Sequence, residues 1–140
     1  MPLLTRAPLG AAALAALTLG LAATPAAAAC GPDANQMELN ECAGEALSAA
    51  DATLNERYQA VIGRLSDDAD KTELLRKAQR AWIAFRDAEC TFAASGVAGG
   101  SIYPLVDAEC RTALTKARAE TLDGFLHCEE GDTTCPVPPQ

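Results

Sequence analysis

Cysteine is the residue in this chain with the most chemistry to offer. Six occur, at Cys30, Cys42, Cys90, Cys110, Cys128 and Cys135. An even set of this kind forms disulfides in an oxidising compartment, or holds zinc where pairs are closely spaced. No Cys-x-x-Cys pair is present and His127 is the only histidine, so disulfides are the reading here. Nucleophilic catalysis finds no support: Ser48, Ser66, Ser95 and Ser101 have no partner histidine at a recognisable spacing. His127 stands beside Cys128 near a helix end, where it faces solvent or caps terminal carbonyls. The acidic run Asp67-Asp68-Ala69-Asp70 lacks the alternating ligands and closing Glu of a calcium loop. No catalytic residue, cofactor or metal is expected, and the chain reads as a protein that binds something.

The compartment follows from residues 1–29. Arg6, a long Ala/Leu stretch and Ala26-Ala27-Ala28-Ala29 have the layout of a signal peptide, and the apolar run is too short and Ala-rich for a good membrane span. A periplasmic or extracellular location is expected. Lipid anchoring at Cys30 is disfavoured, because the large aliphatic residue usual three places earlier is missing and five cysteines would remain. Without the leader, ten cations face nineteen carboxylates, a net charge of −9. Such a charge repels nucleic acid and anionic membranes and favours cationic partners, while also keeping an exported protein soluble.

Three helices must position the cysteines. Asn35-Gln36-Met37-Glu38 is a capping box. After it, Leu39, Ala43, Ala46, Leu47, Ala50, Leu54, Tyr58, Val61, Ile62 and Leu65 trace one helical face, ending at Ser66-Asp67-Asp68. A second box at Asp70–Glu73 starts a helix whose face reads Leu74, Leu75, Ala78, Ala81, Trp82 and Phe85, continuing through Cys90 to about Ala94. Three glycines among residues 96–100 make a loop. Pro104 opens the third helix, with Val106, Cys110, Ala113, Leu114, Ala117, Thr121 and Phe125 on its face. The expected fold is all-α, a three-helix up-down-up bundle cross-linked by disulfides. The domain runs over residues 30–126, with an irregular Cys- and Pro-containing tail over 127–140. Antiparallel packing gathers Cys30, Cys42, Cys90 and Cys110 at one pole, where three pairings remain open. Cys128 and Cys135 close a small loop in the tail.

Polar stripes border the apolar faces. Asp51, Asn55 and Tyr58 share one line of the first helix, and Gln79, Trp82 and Arg86 one line of the second. Facing each other, they form a hydrogen-bonded lock on helix register, with a recognition patch as the competing reading.

The run Leu75-Arg76-Lys77-Ala78-Gln79-Arg80-Ala81-Trp82-Ile83-Ala84-Phe85-Arg86-Asp87-Ala88-Glu89-Cys90 is distinctive. So are Glu38-Leu39-Asn40-Glu41-Cys42, Asp51-Ala52-Thr53-Leu54-Asn55-Glu56-Arg57-Tyr58 and, downstream, Gly99-Gly100-Ser101, Cys110, Thr115 and Arg118. Together they resemble the LprI-type lysozyme inhibitor family, bacterial helical domains that are secreted or lipid-anchored. The resemblance covers Cys30 to about Leu122. It implies a small bundle that blocks a muramidase; the runner-up is an envelope-associated binding or structural module without inhibition. The implied partner is a basic lysozyme or another envelope protein. The loop Ser95–Tyr103, offering Val97, Ser101, Ile102 and Tyr103, is the expected contact element, and a plain connector is its alternative.

Overall fold

The computed structural model describes residues 30–139; the expected leader lies outside them. Helix α1 spans Gln36–Arg64. Its cap is the expected box: Asn35 Oδ1 accepts from the Met37 and Glu38 N–H groups, and the Glu38 carboxylate accepts from the Asn35 N–H at 2.8 Å. Helix α2 spans Ala69–Ala93. Its cap is Asp68, whose carboxylate accepts the Lys71 N–H at 3.0 Å, so the helix begins before the expected box at Asp70. The turn from α1 makes this possible. The Leu65 carbonyl accepts from both the Asp68 N–H and the Thr72 hydroxyl, at 2.9 Å each, leaving Asp68 at the entrance of the new helix. A single 3-10 turn at Ser95–Val97 and a glycine-rich loop follow. Gly99 has φ 79°, a backbone conformation that glycine adopts without a Cβ clash. Helix α3 spans Tyr103–Leu126, with Pro104 in its first turn. The helices run up, down and up, so α1 and α3 are parallel neighbours and the fold is the expected all-α bundle.

The core lies mainly between α1 and α3. Ala43, Ala50, Leu54 and Val61 of α1 are buried, as are Ala108, Thr115, Ala119 and Leu122 of α3. Most of these are small, which lets two helix backbones approach closely. Both ends of the pair are pinned. The Asn40 amide donates to the Ser101 carbonyl at 2.9 Å, and Arg64 Nη1 donates to the Leu126 carbonyl at 2.7 Å, a cation on the negative end of α3.

The face expected on α1 is the one it buries. Those expected on α2 and α3 are rotated. Ala113, Ala117 and Thr121 are exposed, and Thr115 and Ala119, beside them on the wheel, go inward. On α2 the shift is larger. Leu75, Gln79, Trp82, Arg86 and Cys90 point inward, whereas Leu74, Ala78, Ala81 and Phe85 face solvent. α2 lies against this close-packed pair with Leu75 and Trp82 on the core cluster. Hydrogen bonds from Arg86 and to Gln79, and a disulfide at Cys90, join the rest of its inward stripe to α1 and α3.

The tail has no helix, as expected, yet it joins the core. Val137 is 2% exposed, clustered with Leu54, Val61, Leu65, Ala119 and Leu122. Cys128 is bonded to Cys135. Within that loop the Asp132 carboxylate accepts from the Thr134 hydroxyl and N–H, which holds its pKa below the ordinary carboxylate range. Replacing Val137 with Ala should lower unfolding stability by about 1–3 kcal/mol, measured by denaturant titration. An unchanged midpoint would mean that the tail contributes nothing to the core.

Candidate functional site

Two groupings bring the sequence-highlighted residues together. The first is centred on Arg86 of α2, whose side chain is 13% exposed. Its Nη1 donates to Asp51 Oδ1 of α1 at 2.9 Å and to Thr115 Oγ1 of α3 at 3.1 Å. Its Nε donates to Asp87 at 3.1 Å, and the guanidinium lies 5.2 Å from the Trp82 ring centroid. One side chain thus bonds to all three helices. Next to it, Arg111 of α3 bridges Asp87 and Asp107; the Asp107 hydrogen bond is the main cause of its raised pKa. Further along, Arg118 Nε donates to Gln79 Oε1 at 3.1 Å. Burial lowers the pKa of Arg118, since desolvation disfavours a cation.

The two expected polar stripes therefore meet at Asp51 and Arg86. Asn55 is exposed and takes no part, and Tyr58 and Trp82 pack against the core cluster rather than hydrogen-bonding across it. Gln79 pairs with α3, not with α1. The sequence reading missed Asp87, Asp107 and Arg111, because nothing in their spacing reveals that α3 closes the network. Asp51, the carboxylate in the cleft between α1 and α2, is held by Arg86. Among the cleft-lining residues there is no second carboxylate for general acid–base work.

The second grouping is the cysteine pole. Cys30 is bonded to Cys42, and Cys90 to Cys110. Of the three open pairings, the structure selects the one that joins sequence neighbours. One bond ties the leading segment to α1; the other ties the end of α2 to the start of α3. The loop between these bonds is fastened to α1 through Asn40 and the Ser101 carbonyl. Val97 and Tyr103 are half-buried, while Ser101 and Ile102 are exposed. Met37 in the first turn of α1 and Phe92 in the last turn of α2 are also exposed. Around them stand the exposed carboxylates Asp33, Glu38, Glu41, Glu45 and Glu109. Arg111 is the single cation in segments 30–47 and 95–112, and it is neutralised by Asp87 and Asp107.

His127, at the far end, has Nδ1 2.8 Å from the Asp123 carbonyl oxygen, consistent with capping of the last turn of α3. No group of three His, Cys, Asp or Glu residues able to hold a metal occurs among the described residues. No helix among them is long and apolar enough to cross a membrane.

The sequence profile described as "Lysozyme inhibitor LprI" matches residues 26–122. An uncharacterized protein of Rhizobium meliloti (strain 1021) is 36% identical over 136 residues, spanning 85% of this chain and 98% of the relative. No solved structure matches significantly.

Arg86→Ala should cost about 2–4 kcal/mol, because it leaves Asp51, Asp87 and Thr115 without their shared donor. Asp51→Asn should cost only about 1 kcal/mol, since that carboxylate is half exposed to water. Urea unfolding of both variants checks the order; equal costs would show that Arg86 acts through Asp51 alone.

Proposed function

We propose that this chain, which belongs to the LprI lysozyme inhibitor family, is an exported binding protein that blocks a cell-wall muramidase by docking its cysteine pole on the enzyme. The disulfides fit an oxidising site outside the cytoplasm, in the periplasm or beyond the cell. The observation that carries the reading is the make-up of that pole, where exposed Met37, Phe92 and Ile102 stand among five exposed carboxylates.

Each part has a physical role. The carboxylates attract a basic lysozyme over a distance and raise the association rate. Met37 and Ile102 provide apolar area to be buried on contact, which supplies affinity that exposed charge does not. The Cys90–Cys110 bond and the Asn40–Ser101 hydrogen bond hold the loop in place before binding, so less conformational entropy is lost. To contact with the partner we assign Val97, Ser101, Ile102 and Tyr103, together with the exposed Met37 and Phe92. In this reading the exposed Ser101 and Ile102 touch the partner, while the half-buried Val97 and Tyr103 hold the loop from beneath. The residues around Arg86 serve as the register lock that keeps the pole assembled; nothing in this mechanism requires catalysis.

The test is a turbidity assay of cell-wall lysis by a basic lysozyme, with and without the mature protein. Inhibition should weaken severalfold as salt rises from about 0.05 to 0.5 M, where screening shortens from roughly 14 to 4 Å. Ile102→Asp should reduce inhibition about tenfold or more while leaving thermal stability unchanged. No slowing of lysis at a large molar excess removes the inhibitor reading. Full inhibition by the Ile102→Asp variant moves the contact away from the pole.

A further inference from the structure

Helix α2 is amphipathic in the wrong sense for a bundle helix. Its inward stripe is Gln79, Arg86 and Cys90 with two larger apolar residues, while its outward stripe is Leu74, Ala78, Ala81, Phe85, Ala88 and Phe92. Leu74 is 67% exposed, Phe85 52% and Phe92 76%. Large apolar side chains aligned at helical spacing on a solvated face are uncommon on a monomer and mark a contact surface. We propose that this face pairs two copies of the chain, α2 against α2, antiparallel about a two-fold axis near residues 79–80.

Charge identifies the occupant. Over Ala69–Ala93 there are five cations, Lys71, Arg76, Lys77, Arg80 and Arg86, and four carboxylates, Asp70, Glu73, Asp87 and Glu89. α2 is the one helix of the three whose own side chains are not net acidic. A basic enzyme surface gains nothing by docking there, and an acidic partner is not repelled. A second copy of this chain is such a partner. The distribution along the helix is also self-complementary. Lys71 and Glu89 are eighteen residues apart, about five full turns, so they sit on the same side of the helix. In the antiparallel pairing each Lys71 meets the partner's Glu89. The same axis sets Leu74 against the partner's Phe85 and Ala78 against the partner's Ala81. The large residues then pack at either side of a close alanine crossing. One helix per copy buries less than a standard interface, so the dimer should be reversible and concentration-dependent. Phe92 stands at the pole end of this stripe, whereas Met37, Ser101 and Ile102 lie on other elements, and the pairing does not rest on the inhibitor reading.

The experiment is sedimentation velocity on the mature, disulfide-intact protein from about 1 µM to 1 mM, beside Ala81→Glu, Lys71→Glu and the double variant Lys71→Glu/Glu89→Lys. The wild type should shift from monomer to dimer mass across this range. Ala81→Glu, a change at an exposed position to another good helix former, should raise the dissociation constant about tenfold or more with an unaltered helical circular-dichroism spectrum. Lys71→Glu should weaken pairing, and the charge swap should restore it. A wild type that stays monomeric at every concentration overturns the proposal. So does a dimer indifferent to Ala81→Glu, or a monomeric wild type whose inhibition of lysozyme is lost in Ala81→Glu; the last result would make this stripe the enzyme contact instead.

Discussion

Short side chains between α1 and α3 set the architecture. Ala43, Ala50, Ala108, Thr115 and Ala119 let two parallel helices approach so closely that they form most of the core by themselves. Parallel neighbours in an up-down-up bundle are joined only through the middle helix, so their offset needs other anchors. Asn40 to Ser101 at one end and Arg64 to Leu126 at the other supply them. The last gap, at the far end of the pair, is filled by Val137 from the tail. The third disulfide closes residues 128–135 into a loop and so limits the freedom of the segment that carries Val137.

α2 is then a guest on a finished pair. Leu75 and Trp82 rest on the core cluster, and its other attachments are directional: Gln79 with Arg118, Arg86 with Asp51 and Thr115, Asp87 with Arg111, and the Cys90–Cys110 bond. Directional bonds fix one register, whereas apolar contacts of similar area tolerate sliding. Because these attachments occupy the inward face, the large apolar residues of α2 remain outside. The molecule thus separates its surfaces. The cross-linked pole is rich in exposed carboxylates, and the outward stripe of α2 is apolar on a helix close to neutral.

Much of this was legible before folding. The capping box at Asn35, the punctuation at Ser66–Asp68, the glycines after Ser95 and Pro104 bound the helices to within a few residues, because each acts on the backbone locally. Asp51 and Arg86 were legible as partners, since both lie on stripes that an antiparallel pair brings together. Asn55 was placed in the same lock and stands outside it. Leu74, Ala78, Ala81 and Phe85 were assigned inward on periodicity, which reports that a helix has an apolar side and not which neighbour that side meets. On α3, alanine and threonine carry so little hydropathy contrast that neighbouring lines of the wheel look equally apolar. Close packing, which decides between them, is a property of two helices at once.

By itself the sequence determined the helices, the export-style cysteine set, the acidic charge and the kinship of the motifs, all of which depend on residues near one another in the chain or on simple totals. Only the tertiary structure decided which cysteines pair, that Thr115 and Arg111 complete the network around Arg86, that Val137 belongs to the core, and that α2 turns its apolar side to water. Each of those depends on how far apart two backbones settle. That distance is fixed by the side chains of both elements together and is written in neither alone.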